Sequence, residues 1–260
     1  DRLLDLGFAE ELQRTLALLP PRRQNLFFSA TFPVAVQRLA ETLLNDPVRV
    51  AVADTPANEP SIVQRAIAVD ASRRTQLLRH LVQENQWSRV LVFVATQYAA
   101  EHVAEKLYKA DIFATPFHGG LSQGARKQVL QEFKDERWQV VVTTDLAARG
   151  IDISQLPAVV NYDLPRSAVD YVHRIGRTGR AGESGVAVSF VTADTEAHFR
   201  LIEKRQHLAL PREQMAGFEP TELLPEVTAA GTGGIKGKRP SKKDKLRATA
   251  AAAQAATGQD

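Results

Sequence analysis

The run Val90-Leu91-Val92-Phe93-Val94 is the clearest indication of how this chain folds, and Val140-Val141-Val142-Thr143 has the same character. Each run is short, apolar and rich in β-branched side chains, with no alternation of polar residues. Strands that lie inside a parallel sheet, with both faces covered, have this composition. The two runs therefore predict two central strands of one parallel sheet.

Outward from these runs, strand and helix patterns alternate along the chain. Strands are predicted at 62–69, 90–94, 113–117, 140–143, 159–162 and 186–191, and helices at 73–84, 99–109, 123–133, 168–175 and 196–205. This alternation favours a parallel sheet with helices on both faces, and right-handed crossovers make it an open, doubly wound α/β domain.

The two ends of the chain differ from this middle part. Residues 8–19 predict a helix, a second helix follows Pro33, and short strands are predicted at 26–28 and 48–52. Residues 54–60 contain two prolines and no apolar periodicity, which indicates a linker between domains at 1–53 and 61–212. The pattern fades after Leu210, so we predict a basic tail at 213–260, disordered from about residue 228.

Composition excludes several classes of protein. There is no run of eighteen apolar residues, so no membrane-spanning segment is predicted. Cysteine is absent, which excludes disulfides and thiolate metal sites and fits a reducing cytoplasm. The six histidines do not have the spacing of a zinc site.

Charge is concentrated near the C-terminus. Seven of the twelve residues from 236 to 247 are Lys or Arg, whereas residues 1–235 sum to about −2 by subtraction from the total of +3. A polyanion is the natural partner of such a segment, although a basic segment can also serve only to keep a chain in solution. Composition alone does not separate these two interpretations.

Polar and glycine residues collect where the predicted strands end, and ligands of open α/β sheets bind at that edge. His118-Gly119-Gly120 follows one strand, and Thr144-Asp145 follows another. Each has a simpler interpretation, since Gly119-Gly120 fits a plain turn, Thr144 a helix cap and His118 a packed side chain. These segments are candidates only as a group.

The most unusual segment follows the helix predicted at 168–175. Arg174, Arg177 and Arg180 recur every three residues, which a continuing helical turn would place on neighbouring directions. Gly176 and Gly179 alternate with them, although glycine costs a helix about 1 kcal/mol relative to alanine. Guanidinium groups pair with phosphate oxygens, so the segment predicts a phosphate contact, the alternative being an ion-paired helix end.

These segments resemble motifs of the DEAD-box RNA helicases, in the family's order and over roughly residues 1–210. The matching motifs are Ser29-Ala30-Thr31, Val92-Phe93-Val94 with Thr96, His118-Gly119 with Gln123 and Arg126, Thr144-Asp145 with Arg149-Gly150-Ile151-Asp152, and His173-Arg174-Ile175-Gly176-Arg177-Thr178-Gly179-Arg180. The last of these is a signature of the family. Asp1 resembles the final residue of the family's acidic box.

The resemblance implies a RecA-like lobe at 61–212, preceded at 1–53 by the end of a first RecA-like lobe. It implies RNA and ATP with Mg²⁺ as ligands, and local unwinding of short RNA duplexes as the activity. Proteins of ribosome assembly or RNA turnover are the partners it suggests. It assigns no metal ligand to this chain.

The resemblance also implies a role for particular residues. The arginine fingers would be Arg177 and Arg180, which bind the nucleotide together with Gly150 and Asp152. The RNA contacts would be Gly119, Gln123, Arg126 and Thr144. The residues that couple nucleotide to lobe closure would be Asp1, Ser29, Thr31 and His173.

One family element is missing from this sequence. No Gly-x-x-x-x-Gly-Lys-Ser/Thr string occurs, so we expect the phosphates and Mg²⁺ to be held by a first lobe that lies mostly outside it. The chain is then expected to be a fragment without ATPase activity of its own. Two alternatives stay open, a non-catalytic RNA-binding or RNA-chaperone module and a DNA helicase of the same superfamily.

Overall fold

A computed structural model describes residues 8–28, 34–50, 62–148, 153, 155–179 and 184–221. The chain divides into two compact units, Asp1–Asp54 and Thr55–Asp260. None of the helices in these ranges is both long and apolar enough to cross a bilayer.

The described residues of the first unit form two helices, α1 (Ala9–Ala17) and α2 (Val34–Leu43). The two predicted helices are thus confirmed, but the strand predicted at 26–28 is wrong. The described part of the strand predicted at 48–52 is not a strand either. A strand needs a neighbour to receive its backbone hydrogen bonds, and the described residues of this unit offer none. Leu26 is 71% exposed and Phe28 is 88% exposed.

The second unit alternates strands and helices, as predicted. The strands are β1 (Ile62–Ala68), β2 (Val90–Phe93), β3 (Ala114–Phe117), β4 (Val140–Thr143), β5 (Ala158–Asn161), β6 (Gly185–Val191) and β7 (Arg212–Glu213). The helices are α3 (Arg74–Glu84), α4 (Gln97–Tyr108), α5 (Gln123–Lys134), α6 (Asp145–Ala148), α7 (Ala168–Ile175) and α8 (Glu196–Gln206), with a 3₁₀ turn at Ala71–Arg73 before α3. The sequence did not predict α6 or β7.

All seven strands form one parallel sheet in the order β3-β4-β2-β5-β6-β1-β7. Val90-Leu91-Val92-Phe93 lies near the centre of that order and pairs with β4 on one side and β5 on the other. Alternate side chains of a strand point to opposite faces. Val90 and Val92 pack with α3 and α4, whereas Leu91 and Phe93 pack with α5 and α6. The open sheet with helices on both faces is therefore confirmed.

Helix α7 spans the residues 168–175 that its pattern predicts, but the helical turn does not continue to Arg177. It ends at Ile175 with Gly176 as its C-cap, so Arg177 lies in the turn that follows and no helical face joins it to Arg174. Helix α7 begins with Ser167, whose hydroxyl accepts a hydrogen bond from the Asp170 backbone. Tyr171 anchors its buried side by donating a 2.8 Å hydrogen bond to Gln64, and burial raises the pKa of that phenol to about 12.

The second unit continues past residue 212, where the sequence pattern places its end. Glu213 pairs with Arg65 at 2.6 Å, and Phe218 packs against the core beneath α3. Thr221 donates hydrogen bonds to the Asp70 carboxylate from its backbone (3.0 Å) and from its hydroxyl (2.8 Å). These are contacts distant in sequence, and a local apolar pattern does not reveal them.

An ion cluster fixes β7 beside α8. Arg212 contacts two buried carboxylates, Glu196 at 2.9 Å and Glu203 at 2.6 Å, and Arg200 lies 2.5 Å from Glu196. Burial raises the pKa of the Glu196 carboxyl, but the hydrogen bonds from Arg212 and Arg200 outweigh burial and hold the pKa below its usual 4.5. Burial lowers the pKa of Arg212, but its hydrogen bonds to Glu203 and Glu196 outweigh burial and hold that pKa above its usual value.

Candidate functional site

The candidate site occupies the edge of the sheet where its parallel strands end. The order β3-β4-β2-β5 places four of these strand ends side by side. Three of these ends are followed by residues that the sequence singles out, which are His118 after β3, Thr144 after β4 and Thr96 three residues after β2. The fold therefore brings the predicted RNA motifs to one edge, where ligands of open α/β sheets bind.

The turn after β3 is exposed and tightly packed on one side. Gly119 and Gly120 form a turn, with the Gly120 backbone donating a 3.2 Å hydrogen bond to His118 Nδ1. A Cβ on Gly120 would lie 2.9 Å from the Gln97 side-chain oxygen, so Gln97 covers this turn. The simple interpretations also hold, since Gly119-Gly120 is a turn and His118 is only 3% exposed.

Helix α5 carries two of the predicted RNA contacts. Ser122 caps it by accepting a 3.2 Å hydrogen bond from the Ala125 backbone, which places Gln123, exposed, in the first turn. Arg126 is half-buried. Its guanidinium lies 5.1 Å from the centre of the Phe117 ring and 3.5 Å from the Ala147 carbonyl.

Thr144 stands between β4 and α6 and is half-buried. Its carbonyl accepts a 3.0 Å hydrogen bond from the Ala148 backbone, which closes the single turn of α6. Helix α6 carries the Ala147 carbonyl that Arg126 approaches. Gly119, Gln123, Arg126 and Thr144 are thus supplied by neighbouring elements of one edge.

The sequence predicts a phosphate contact for Arg174, but in the structure this residue has a structural role. It is 2% exposed, and its guanidinium holds the Asp145 carboxylate through two hydrogen bonds of 2.6 and 2.8 Å. It also donates to the Asn161 amide oxygen at 3.1 Å and to the Asp163 carbonyl at 2.6 Å. The ion-paired interpretation is therefore right for Arg174, because these partners satisfy its donors.

The turn that carries Arg177 is fixed by its neighbours. The Leu156 backbone donates a 3.1 Å hydrogen bond to the Arg177 carbonyl, and the Thr178 hydroxyl donates to the Leu156 carbonyl. Gly185, the first residue of β6, permits this packing, since a Cβ there would collide with Thr178 and lie 2.6 Å from the Gly179 nitrogen. The sequence analysis missed Gly185. Its only signal was another glycine just after the arginine string.

His173 and Arg177 meet in one small cleft. Its walls are Phe93, Asp145, Ala148, Asp170, His173, Arg174 and Arg177. Cationic and carboxylate groups therefore face one depression beside the ends of β2 and β4. Such an arrangement suits a phosphate or a second protein surface that carries charge.

Half of the predicted site residues lie outside the described part of the chain. These are Asp1, Ser29, Thr31, Gly150, Asp152 and Arg180. Their roles stay predictions. Within the described ranges, no group of acidic and histidine side chains is arranged to hold a metal ion.

Comparison with known proteins assigns the class and the family. The helicase conserved C-terminal domain matches residues 73–182, so the second unit contains a helicase C-terminal domain. The DEAD-box ATP-dependent RNA helicase CshA of Geobacillus kaustophilus is 39% identical over 204 residues, which are 78% of this chain and 44% of the relative. The chain thus spans less than half the length of this curated relative.

Two solved structures extend the match to three dimensions. The E. coli DEAD-box protein SrmB, bound to regulator of ribonuclease activity A, is 34% identical with a TM-score of 0.56, over 63% of this chain and 96% of that one. Dbp5 of S. cerevisiae, bound to RNA and ADP BeF3, is 30% identical with a TM-score of 0.69, over 80% of this chain and 56% of that one.

The chain belongs to the DEAD-box family of ATP-dependent RNA helicases, and the predicted family and RecA-like fold are confirmed. Its relatives include bacterial and fungal proteins, so a bacterial type remains a prediction.

Proposed function

We propose that this chain is the second-lobe part of an ATP-dependent RNA helicase that uses ATP hydrolysis to unwind short RNA duplexes locally. One observation carries the proposal. The sheet edge that presents Gly119, Gln123, Arg126 and Thr144 also adjoins the fixed turn that presents Arg177. Residues predicted to contact RNA and a residue predicted to contact the nucleotide thus share one edge. The family's members are ATP-dependent RNA helicases.

The RNA contact is proposed to be to the backbone. Gly119 offers an exposed main chain, Gln123 an exposed amide and Arg126 a guanidinium held over Phe117. Such groups bind phosphates and sugars, which positions a strand without reading its sequence. Dbp5, which shares this fold, was solved with RNA.

The nucleotide contact is proposed for Arg177 and Arg180, with Asp152 on the ribose and Gly150 allowing close approach of the backbone. Arginine fingers of this kind contribute about 10³–10⁵ in rate by stabilising charge on the transferred phosphoryl group. The fixed turn supports this role, because an arginine finger acts best when its backbone is already in place. Mg²⁺ and most phosphate contacts would belong to the first lobe.

Residues 1–53 are proposed to be the end of that first lobe, joined by a linker at 54–60 to the lobe at 61–212. The exposed apolar side chains of the first unit support this, since Leu18 is 86% exposed and Val48 is 90% exposed. Such residues normally lie inside a domain. Asp1, Ser29, Thr31 and His173 would then couple nucleotide binding to closure of the two lobes, which bends one RNA strand away from its partner.

The remaining proposals concern the basic segment, the protein partners and the cellular location. The basic segment at 236–247 would add RNA affinity that weakens as salt rises. SrmB was solved with a regulator of ribonuclease activity, which supports partners from RNA turnover, with ribosome assembly as the second suggestion. We place the protein in the cytoplasm, where RNA and ATP meet.

The central experiment measures RNA-stimulated ATP hydrolysis with and without a first lobe. This chain alone should show none, and joining a DEAD-box first lobe to it in one polypeptide should restore it. Arg177→Ala or Arg180→Ala in the joined protein should remove most turnover while RNA binding persists. Arg79→Ala, an exposed arginine on α3, is the matched control and should retain turnover.

Several outcomes would overturn the proposal. Robust hydrolysis by this chain alone would contradict the assigned division of labour between the lobes. Normal RNA binding without turnover in the joined protein would favour the non-catalytic binding module. Equal affinity for DNA and RNA strands of one sequence would favour the DNA helicase. If deleting residues 228–260 leaves the salt dependence of binding unchanged, the tail has no part in it.

A further inference from the structure

The turn between β3 and α5 contains two glycines that its backbone conformation does not require. The Leu121 backbone donates a 3.2 Å hydrogen bond to the His118 carbonyl, which closes a four-residue turn over Gly119 and Gly120. Neither glycine has a positive φ. Among the described residues, a Cβ on Gly119 would come near the Gln97 side-chain nitrogen alone, at an ordinary 3.7 Å. Gly119 therefore leaves room beside its main chain.

Gly120, in contrast, is packed from two sides. Its backbone donates a 3.2 Å hydrogen bond to Nδ1 of the His118 ring. A Cβ on Gly120 would lie 3.1 Å from that same Nδ1 and 2.9 Å from the Gln97 side-chain oxygen. His118 is only 3% exposed, so the nitrogen that accepts this bond belongs to a buried ring. The exposed turn thus rests on a fixed imidazole.

The hydrogen bond from Gly120 determines where His118 carries its proton. A ring nitrogen that accepts a hydrogen bond has no proton of its own, so the neutral imidazole is protonated on Nε2. Within the described part of the chain, Nε2 makes no hydrogen bond and lies 3.2 Å from the Glu101 carboxylate. A negative charge at this distance favours a proton on Nε2. Both neighbours of the ring therefore select the same tautomer.

We propose that His118 is a positioning residue, which as the Nε2–H tautomer holds the turn in the conformation that presents the Gly119 main chain to an RNA strand. The inference rests on the proposed function and adds to it a residue that touches no RNA. Two consecutive glycines lose much conformational freedom when they are ordered, and ordering them on binding would weaken the affinity. The bond from Gly120 to the buried ring orders them before RNA arrives.

The experiment compares two substitutions of similar size. The side-chain oxygen of asparagine takes the place of Nδ1, whereas the amide of glutamine reaches the place of Nε2. His118→Asn therefore keeps an acceptor for the Gly120 backbone, and His118→Gln removes it. In NMR spectra of the 260-residue chain, the Gly120 amide should exchange with water about fivefold faster in His118→Gln, the worth of one neutral hydrogen bond. The exchange rate in His118→Asn should stay that of the wild type.

Two further measurements complete the experiment. The imidazole nitrogen shifts of the wild-type chain should place the proton of His118 on Nε2. In the joined two-lobe protein, fluorescence anisotropy with an oligouridine should show about fivefold weaker binding for His118→Gln and wild-type binding for His118→Asn. His80, a histidine of α3 whose side chain is 42% exposed, is the matched control. His80→Asn and His80→Gln should leave amide exchange and RNA affinity unchanged.

The outcomes separate the inference from the proposed function. If His118→Asn and His118→Gln change both readouts equally, the ring acts only through packing and the inference is wrong. A wild-type His118 with its proton on Nδ1 would overturn it even if neither variant folds. If Arg126→Ala weakens RNA binding and His118→Gln does not, the RNA edge stands without the positioning role. If neither variant changes the affinity, RNA does not bind at this edge and the proposed function fails with the inference.

Discussion

The two units of this chain use apolar residues differently. In the second unit, seven parallel strands and the helices on both faces bury three clusters of apolar side chains. Among the described residues of the first unit, Val36 is the buried hydrophobic, whereas Leu18, Leu26, Phe28 and Val48 are exposed. Both units have ordinary apolar helices, so the difference lies in the presence of a sheet to cover. We therefore expect stability measured on this chain to report mainly on the second unit.

The largest expected effect is the loss of the buried ion pair. Arg174→Ala removes the partner of the Asp145 carboxylate and of the Asn161 amide oxygen. We expect the free energy of unfolding to fall by about 3–5 kcal/mol, the usual cost of removing one partner from a buried pair. Chemical denaturation followed by circular dichroism measures it.

The matched control for that prediction lies in the first unit. Arg14 is 3.7 Å from Glu10, with side chains 80% and 83% exposed, so Arg14→Ala should change stability by at most about 0.5 kcal/mol. Arg174→Lys should fall between the two, because an ammonium keeps the charge but cannot reach three partners in one plane. If Arg174→Ala and Arg14→Ala change the free energy of unfolding equally, the two units do not differ in how much their ion pairs stabilise the fold.

The second largest effect concerns the fixed turn after α7. Gly185→Ala introduces a methyl group that collides with Thr178 and the Gly179 backbone, and overpacking of this kind costs about 1–3 kcal/mol. The same change should lower turnover in the joined two-lobe protein, because the turn carries Arg177. The control is Gly124→Ala in α5, where the nearest atom is 4.0 Å away and alanine should stabilise the helix by up to about 1 kcal/mol. A Gly185→Ala variant with full stability and turnover would contradict this prediction, because it would show that the turn after α7 can accommodate the added methyl group.

A smaller effect depends on acid. The pKa of the Glu196 carboxyl is held below 4.5 in the folded protein, so its pairing with Arg212 stabilises the fold above the unfolded pKa. That stability is lost as the pH falls below about 4.5 and through the folded pKa. Glu196→Gln should flatten the fall in unfolding free energy as the pH drops below about 4.5. His80→Gln, which removes an exposed partner of Glu84, serves as the control. An unchanged pH profile in Glu196→Gln would contradict this account.

The smallest effects belong to the exposed apolar residues of the first unit. Phe28→Ser should change the stability of this chain by less than about 0.5 kcal/mol, because Phe28 is 88% exposed. In the joined two-lobe protein the same change should be destabilising, since we propose that this side chain then lies inside a complete lobe. Thermal unfolding of both proteins gives the comparison. Equal, negligible shifts in both would show that these residues are surface residues in either context.

The parts of the fold that follow from local patterns were predictable. The apolar runs at β2 and β4 identified central strands, and α7 begins and ends where its pattern does. The strand at 26–28 failed because an apolar triplet forms a strand only beside a partner. The segment from Glu213 to Thr221 was missed because its contacts are to β1 and Asp70, far away in sequence.

The site shows the same limit. Motif order placed Gly119, Gln123, Arg126 and Thr144 on one edge, because strand ends share an edge once the sheet is parallel. From their spacing alone, Arg174 and Arg177 were both expected to contact phosphate. In the structure Arg174 is buried with Asp145, whereas Arg177 lies in a turn. A period of three says which residues are near each other, but burial decides which of them can meet a ligand.

The hydrogen bonds between Thr221 and Asp70 also fix the point to which the C-terminal basic segment is attached. Asp70 follows β1, so Thr221 lies at the same edge as the ends of β3 and β4, which are five and four strands away, or about 24 and 19 Å across the sheet. Fifteen residues can span at most about 50 Å, so the basic segment that begins at residue 236 is within covalent reach of the edge where we propose that RNA binds. Toward such an RNA, the effective concentration of the basic segment would be set by the length of chain that joins it to Thr221 and not by the concentration of the protein.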